Sequence, residues 1–337
     1  MDGGMGIDFV VLWVDMDDPA WRASFAGWSG LASTDNSRNE TSEARFRDYG
    51  FLKYWFRGVE RFAPWVRRVH FVTCGQTPAW LDGTNPKLHL VSHTDFIPAD
   101  YLPSFNSGVI ESWLHRIPGL SERFVYFNDD FFLTCDTPPE RFFRGGLPCD
   151  IAAFRFNSGG SQWARMLKNN IALINRHFDK REVTRRDRDK WFDPSYGGKA
   201  RWNHLLRWYP RFATLRTPHN AQPYLRSTYE RVWAACGDEL REASAHRFRS
   251  TGDLTHELFR AWQICEGNFE PYNTYTDTRM FPLVVKPAAA IRAVREQTYR
   301  LVCLNDNVHI RNYARVMASL EGSFRAILPE PSGFEKP

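Results

Sequence analysis

The fold is decided by two apolar runs that each lead into aspartate: IDFVVLWVD at residues 7–15 and FVYFNDDFFL at residues 124–133. Strands with one face in water alternate apolar and polar residues. These runs do not, and strands buried on both faces are therefore predicted over 7–14 and 124–127. Because ligands of parallel sheets bind beyond the carboxyl ends of the strands, the aspartates that follow each run are candidates for a ligand site.

Helices and strands alternate through the first 150 residues. Apolar residues at spacings of three and four predict a helix over 46–62, and a second helix over 106–117 ends at a proline–glycine pair. Short apolar runs predict strands over 69–73 and 88–92, and the small, polar residues of 26–44 predict a loop. This alternation is typical of an α/β fold with a parallel sheet.

The remainder of the chain is predicted to be mainly helical. Helices are expected over 161–178, 227–244, 253–265 and 308–319, with one more apolar run over 299–304 and a proline-rich tail over 328–337 that lies on the surface or frays. The segment KREVTRRDRDK at 180–190 holds six basic and three acidic residues. It is interpreted either as a helix face in water, which the pattern favours, or as a surface for an anionic acceptor or membrane.

The composition is that of a globular protein and excludes a mainly disordered chain. Of 337 residues, 43% are hydrophobic and 25% are charged. No run approaches 18 apolar residues, and no basic segment with a cleavage site precedes the first strand, so neither a transmembrane helix nor a signal peptide is expected. The net charge of +5 suits phosphates, nucleotides or an anionic membrane face but is too small to indicate a nucleic-acid-binding protein. Six scattered cysteines without a CxxC pair fit reduced thiols in the cytosol.

Short oxygen-bearing side chains follow three apolar runs: Asp15 the first, Asp129–Asp130 the second and Asn305–Asp306 the third. Clustered carboxylates repel one another unless a cation offsets them, and Mg²⁺ typically binds one or two carboxylates together with phosphate oxygens. The alternative is that each group caps a turn or a helix, a role for which Asp and Asn are well suited. Recurrence at equivalent strand ends favours a divalent metal site.

Two basic residues are candidates for chemistry outside these groups. His219 lies in a loop before Pro223, where it could serve as general base for a hydroxyl nucleophile or be merely exposed. Arg249 lies beside Phe248 and could hold a phosphate or form a surface ion pair. The sequence contains no GxxxxGK[ST], GxSxG or HExxH motif and no GxGxxG after the first strand, which leaves P-loop and dinucleotide-binding functions unsupported.

Four blocks of the sequence resemble, in order, the conserved regions of the Stealth proteins. That family comprises bacterial capsular polysaccharide phosphotransferases and the catalytic subunit of animal GlcNAc-1-phosphotransferase. The blocks are residues 7–19, residues 45–133, the pair Pro218–His219 with Phe248–Arg249 and Asp253, and residues 303–306. The compact chain is most similar to the bacterial branch.

The resemblance implies transfer of a sugar 1-phosphate from a nucleotide sugar, typically UDP-linked, to an acceptor hydroxyl of an oligosaccharide or polysaccharide, with release of UMP. It also implies roles for particular residues. The implied catalytic residues are His219, Arg249 and Asp15. The implied ligands of Mg²⁺ or Mn²⁺ are Asp129, Asp130, Asn305 and Asp306. The implied substrate-binding residues are Asp48, Asn106, Glu111, His115, Arg116 and Asp253. For the substrate-binding set, structural polar packing is the open alternative.

We therefore predict an α/β fold, a glycosyltransferase-A-like Rossmannoid sheet with a mainly helical insertion. One catalytic domain over 1–337 is expected, built from 1–150 and about 210–325 around a helical, basic insertion at about 160–210. The expected location is the cytoplasm, with peripheral contact at the inner membrane face and no nucleic-acid partner; the oligomeric state is left open. Two other functions stay open: a conventional metal-dependent glycosyltransferase that releases UDP, and a non-catalytic module that binds sugar nucleotides or polysaccharide.

Overall fold

The computed structural model of the protein describes residues 6–30, 49–155, 159–305 and 310–337. Its strands are β1 (Ile7–Leu12), β2 (Arg68–Thr73), β3 (Leu88–Ser92), β4 (Arg123–Phe127), β5 (Phe131–Leu133), β6 (Phe143–Arg144), β7 (Leu147–Asp150), β8 (Gln222–Leu225), β9 (Glu270–Pro271), β10 (Thr278–Pro282) and β11 (Leu301–Asn305). Its α-helices are α1 (Pro19–Ser29), α2 (Leu52–Phe62), α3 (Ser107–Ser112), α4 (Gln162–His177), α5 (Lys180–Arg186), α6 (Arg188–Trp191), α7 (Arg201–Leu205), α8 (Arg226–Ser244), α9 (Glu257–Cys265), α10 (Pro287–Arg295) and α11 (Tyr313–Ile327).

The central sheet has five strands in the order β3-β2-β1-β4-β8. Its first four strands are parallel to one another, and β8 runs antiparallel to β4 at one edge. This order, in which the chain starts in the middle and moves outward, is that of a Rossmannoid sheet. The predicted α/β fold with a buried parallel sheet is confirmed.

Burial of β1 on both faces explains its unbroken apolar sequence. Phe9 and Val11 pack into one hydrophobic core, while Val10, which points the other way, packs into a second core on the opposite face. All three side chains are inaccessible to water. The same division holds for β4, where Val125 and Phe127 enter the first core and Phe124 and Tyr126 the second.

A second sheet, in the order β10-β11-β5, is joined to the first by the turn that follows β4. β5 begins at Phe131, only four residues after Phe127 ends β4, and pairs antiparallel with β11 so that Phe131 faces Cys303. The Leu304 N–H donates to the Asp130 carbonyl over 2.9 Å. The turn with the two aspartates is therefore held at the junction of two sheets.

The N-terminal helices differ from the sequence prediction. The loop predicted over 26–44 is wrong for its first residues, because α1 continues to Ser29. This helix starts where the Asp18 side chain accepts a hydrogen bond from Trp21 N–H and Pro19 occupies the first helical position. The helix predicted from residue 46 begins only at Leu52, after Gly50 at φ +71°, a backbone conformation outside the right-handed helix. Residues 31–48 of both predictions lie outside the described residues.

The later helices are confirmed as helices, with shifted bounds. The predictions over 161–178, 227–244, 253–265 and 308–319 correspond to α4, α8, α9 and α11. α11 continues to Ile327 because Leu320 and Phe324 extend its buried face by two further turns. The helix predicted over 106–117 is shorter: α3 ends at Ser112, and a 3₁₀ turn over Leu114–Arg116 follows.

The charged run at 180–190 is only partly a water-facing surface. It forms α5 and α6, and Lys180 is buried, with its Nζ donating to the carbonyls of Leu206 and Tyr209. The tail likewise does not fray, because Arg57 donates two hydrogen bonds to the Glu335 carboxylate and Phe334 is buried.

Helices α4 to α7 do occupy the predicted insertion, whereas the division into one catalytic domain around it stays a prediction. Among the residues described, we find no helix both long and apolar enough to cross a membrane.

A buried ion pair ties α9 to the end of β7. Arg260 is inaccessible to water, and its guanidinium donates to both carboxylate oxygens of Asp150 over 2.7 Å and to Glu257 Oε2 over 3.0 Å. It also donates to the backbone carbonyls of Arg216 and Ile151. Charges in such a place are tolerated only when fully paired.

Replacing Arg260 by methionine is expected to lower the free energy of unfolding by about 3–5 kcal/mol, because the Asp150 carboxylate stays buried without its cation. Urea denaturation measures this change. Arg241→Met is the matched control: Arg241 is exposed and, among the described residues, forms an ion pair with Asp238 alone, so this variant should change the free energy of unfolding by no more than about 0.5 kcal/mol. If Arg260→Met lowered the free energy of unfolding as little as the control does, the stabilising role of the buried ion pair would be contradicted.

Candidate active site

The Asp130 carboxylate is incompletely paired although much of it is enclosed. Its Oδ2 accepts a hydrogen bond from the Cys303 thiol, with 3.2 Å between oxygen and sulfur. Its Oδ1 is buried and has no hydrogen-bond partner in the described part of the chain. Burial raises the pKa of Asp130, an effect that the nearby His219 and the thiol oppose. A buried oxygen without a partner is uncommon in folded proteins, and this one offers a place where a cation or a hydrogen-bond donor can bind.

His219 stands next to this carboxylate in an unusual backbone conformation. Its φ is +49°, in the left-handed region that residues other than glycine seldom occupy. The imidazole packs edge-on against Phe131, and its Nε2 is 3.9 Å from Asp130 Oδ2. The side chain is 39% exposed, so the ring is held by the protein yet open to a ligand. Backbone strain of this kind is concentrated at functional sites.

The group formed by Asp130, His219 and Cys303 has the size of a metal site, since their ligand atoms lie within 4.8 Å of one another. The chemistry of Cys303 does not suit Mg²⁺. Burial and the adjacent Asp130 hold the pKa of this thiol well above its usual range, so it stays protonated, and Mg²⁺ prefers oxygen. Oδ1 of Asp130 does fit a hard cation.

The other predicted metal ligands divide into those near Asp130 and one that lies outside the described residues. Asp129 is exposed in the same turn, and Asn305 ends β11, one residue after the backbone contact with Asp130. The sheets therefore bring Asp129, Asp130 and Asn305 to one edge. Asp306 is not among the described residues.

A second polar cluster contacts the Tyr126 side chain of β4 and centres on Glu111 of α3. Glu111 is buried, accepts from the Tyr126 hydroxyl over 3.0 Å and lies 2.8 Å from His256 Nδ1. Burial would raise the pKa of Glu111, but His256, and after it Arg249 and Tyr126, lower it to about 2. The Tyr126 hydroxyl also lies 2.6 Å from Asn128 Oδ1, beside the two aspartates.

His256 was missed by the sequence analysis. Nothing in its local sequence marks it, because its significance comes from a partner 145 positions away.

Arg249 joins this second cluster. Its guanidinium donates to the Ser107 hydroxyl over 2.6 Å, and its carbonyl accepts from the Gln162 side chain. No carboxylate oxygen within the described ranges lies in ion-pair distance of Arg249, although its charge acts on both Glu111 and His256. A half-buried guanidinium without a carboxylate has donors left for an anionic ligand.

Asn106 and Asp253 hold the loop of Arg249 against α3. The Asn106 side chain caps α3 by accepting from Gly108 N–H, and its amide donates to Asp253 Oδ2 over 2.7 Å. Asp253 also accepts from Ser250 N–H, and its Oδ1 lies 2.7 Å from His246 Nδ1. With all these partners, both predicted residues are engaged in packing; their contact with substrate stays a prediction.

The remaining candidates lie apart from these two clusters or outside the described residues. His115 packs between Trp113, Tyr229 and Trp233, and burial lowers its pKa to about 4. Arg116 is exposed and lies over the Trp113 ring. Both precede the start of β4, whereas the aspartates follow its end.

Asp15 shares the edge of the sheet with Asp129 and Asp130, since it follows β1, the strand next to β4. Its backbone exchanges two hydrogen bonds with the Gln76 amide, and its Oδ1 accepts from Asp17 N–H. Asp48 lies outside the described residues.

The pairing of His246 with Asp253 predicts a pH dependence. The hydrogen bond to Asp253 raises the pKa of His246 more than burial lowers it. The pair therefore stabilises the fold fully below the unfolded pKa of histidine, about 6.5, and loses that contribution as the pH rises through the higher folded pKa. NMR titration should show His246 titrating above 6.5, and in Asp253→Asn that pKa should fall. An unchanged pKa in the variant would contradict the pairing.

Several known proteins are similar to this chain along nearly its whole length. Residues 45–148 match the model for Stealth protein CR2, conserved region 2. A receptor polysaccharide phosphotransferase of Streptococcus oralis is 38% identical over 98% of this chain and 99% of its own length. An exopolysaccharide phosphotransferase of Lactiplantibacillus plantarum is 37% identical over 99% of this chain and 97% of its own. A capsular polysaccharide phosphotransferase of Streptococcus pneumoniae is 37% identical over 98% and 99%.

Among solved structures, the galactosyltransferase LgtC, in complex with donor and acceptor sugar analogs, aligns with 94% of this chain and 95% of its own. The TM-score is 0.40 at 10% identity, a likeness too low to carry an argument about function. The relatives match at more than a third identity along nearly their whole length. The predicted resemblance is thereby confirmed, and the chain belongs to the Stealth family.

Proposed function

We propose that this chain transfers a sugar 1-phosphate from a UDP-linked sugar to a hydroxyl of an oligosaccharide or polysaccharide, in the synthesis of a capsule or other surface polymer. Its full-length relatives are named polysaccharide phosphotransferases, which supports the class of reaction. The observation that carries the proposal is the half-exposed His219 imidazole, 3.9 Å from an incompletely paired carboxylate at the carboxyl edge of the parallel sheet.

The proposed reaction breaks a phosphorus–oxygen bond and keeps the anomeric carbon–oxygen bond. The acceptor oxygen attacks the phosphorus that carries the sugar, and the bond from that phosphorus to the oxygen bridging toward the nucleoside breaks. The leaving group is UMP, which takes the bonding electrons, and the product is a phosphodiester. Such transfers depend on positioning and on offsetting the phosphate charge.

His219 takes the proton of the attacking hydroxyl in this proposal. Imidazole is suited to this step because it ordinarily titrates near neutral pH. Asp130 lies close enough to stabilise the imidazolium that forms, and the packing against Phe131 keeps the ring oriented. Removal of the proton makes the hydroxyl oxygen a stronger nucleophile.

Arg249 and a divalent cation offset the negative charge of the diphosphate. The guanidinium is free of carboxylate partners in the described residues and so can pair with phosphate oxygens. Asp130 Oδ1, with Asp129 and Asn305 from the same edge, would hold the Mg²⁺ or Mn²⁺. When bound, the cation supplies positive charge to the diphosphate.

The composition and the reaction together motivate the place of action. A net charge of +5 favours contact with anionic lipid, and the family role implies that the polymer is extended at the inner membrane face. We therefore place the enzyme in the cytoplasm, with peripheral contact at that membrane.

The nucleotide that is released tests this proposal against both alternatives. Purified protein is incubated with a panel of UDP-sugars, Mg²⁺ or Mn²⁺ and an oligosaccharide acceptor, and nucleotides are separated by chromatography. We expect UMP with one donor and none in excess chelator. Release of UDP would indicate a conventional glycosyltransferase, and absence of turnover with every donor would favour a non-catalytic binding module; either result contradicts the proposal.

Replacing His219 by alanine is expected to lower kcat by about 10²–10⁴-fold, with little change in KM for the donor, because general base catalysis acts on the chemical step. Initial rates of UMP release measure the change. His204→Ala is the matched control, since His204 is exposed on α7 and packs against Phe192 outside both clusters. The base assignment fails if the two variants turn over equally fast.

A further inference from the structure

His256 has one ring nitrogen engaged and the other available. Its Nδ1 lies 2.8 Å from Glu111 Oε2, which anchors the ring. Its Nε2 makes no hydrogen bond to any described residue, and the nearest carboxylate oxygen, Glu257 Oε1, is 3.8 Å away. The side chain is 17% exposed, so part of the ring is accessible to a ligand.

The surroundings favour the charged form of this imidazole. Burial alone would lower the pKa of His256, but the charge and hydrogen bond of Glu111, with a smaller effect from Glu257, raise it, while Arg249 opposes them. The low pKa of Glu111 shows the same pairing from the other side. When the ring is protonated, its Nε2 carries a hydrogen that can be donated.

Glu257 does not neutralise this second nitrogen. Its other oxygen, Oε2, accepts from Arg260 over 3.0 Å, which directs the carboxylate toward that guanidinium. The ring of His256 is flanked by Tyr126, with 5.6 Å between centroids, and by the exposed Trp163 at 6.4 Å. Apolar flanks of this kind strengthen a charged hydrogen bond, because they keep water from its sides.

Two cations thus converge on a single buried carboxylate. The charges of His256 and Arg249 both lower the pKa of Glu111, and the charge of Arg249 also acts on His256. Two sets of donors are left over: His256 Nε2–H, and the N–H groups of Arg249 that do not bind Ser107. Together they are more than the Glu111 carboxylate can accept. An arrangement with surplus cationic donors is complementary to an anion with several oxygens.

We propose that His256 is a phosphate-binding residue that acts with Arg249 to hold the diphosphate of the donor, with Glu111 as the positioning residue that orients its ring. This inference rests on the proposed function, because it takes a nucleotide sugar as the ligand. It adds a residue that neither the sequence patterns nor the family resemblance indicated.

Titration calorimetry with UDP-GlcNAc and Mg²⁺ tests the proposal on the whole chain, without the need for turnover. His256→Gln keeps a hydrogen bond to Glu111 but removes the charge, and it should weaken binding about tenfold. His256→Lys restores a cation and should stay within about threefold of the unchanged protein, since charge is what phosphate requires. The matched control His204→Gln should bind normally.

The pH dependence of UDP-GlcNAc affinity separates phosphate binding by His256 from a role in packing, because a packing role would not make the affinity depend on the charge of the ring. Binding by the unchanged protein should weaken as the pH rises through the raised pKa of His256, because the imidazolium is lost, and the difference from His256→Gln should shrink accordingly. The diphosphate of a nucleotide sugar does not titrate in this range. The pH dependence of binding tests the role of His256 even if His256→Lys fails to fold. Thermal melting detects such a failure.

Equal affinity for UDP-GlcNAc in the unchanged protein and His256→Gln would overturn the role of His256 and leave the proposed function standing. Equal weakening by Gln and Lys, with no pH dependence, would assign His256 to packing and would also overturn it. An unchanged protein that binds neither UDP-GlcNAc nor UDP would contradict the proposed function together with this inference.

Discussion

One backbone hydrogen bond, from Leu304 N–H to the Asp130 carbonyl, joins the two sheets on which the site is built. It extends the pairing of β11 with β5 back into the turn that follows β4. The side chain of Cys303 is thereby placed against the Asp130 carboxylate, and Asn305 arrives at the same edge. Without this junction, residues more than 170 positions apart in the chain would not meet. The position of the aspartates thus depends on sheet pairing and not on local turn chemistry alone.

Charge pairing separates structural from functional carboxylates in this molecule. In the part of the chain that the structure describes, five Asp and Glu side chains are buried, and each has a basic partner within about 3 Å, as expected for charges withdrawn from water: Asp8 with His70, Glu111 with His256, Asp150 with Arg260, Asp253 with His246 and Glu257 with Arg260. Asp130 differs, because its direct partner is a thiol and the nearest basic nitrogen among the described residues, His219 Nε2, is 3.9 Å away. The five paired carboxylates gain free energy from their basic partners. For Asp130, a ligand would supply that free energy.

The sequence predicted the parts of the fold that carry a repeating or continuous apolar signal. Strands β1 and β4 and helices α4 and α8 were recognisable for that reason. Strand β8 was not, since it is four residues long and contains Pro223, which an edge position tolerates. Strand β5 was hidden because its three residues are too few to show a strand period.

The candidate site was predictable in its members but not in its arrangement. Strand ends and family resemblance pointed to Asp130 and His219, yet neither indicates that a thiol would be the partner of the carboxylate. The Glu111–His256 pair was invisible for a different reason: Glu111 was known only as a position in a block, and its partner has no motif of its own. Such a pair forms because α3 meets the residue that precedes α9 in the folded chain, which a single sequence does not encode locally.

The protonated thiol of Cys303 has a consequence for the kind of ligand that Asp130 can take. A softer metal such as Zn²⁺ would favour the set of carboxylate, imidazole and thiolate found here, all within 4.8 Å. Binding it would require the thiol to lose its proton in a buried place beside a negative charge, the two effects that raise the pKa of Cys303. While protonated, the same thiol occupies Oδ2 as a donor and leaves Oδ1 for a hard cation. This arrangement presents Oδ1 to the oxygen-preferring cations that accompany phosphate.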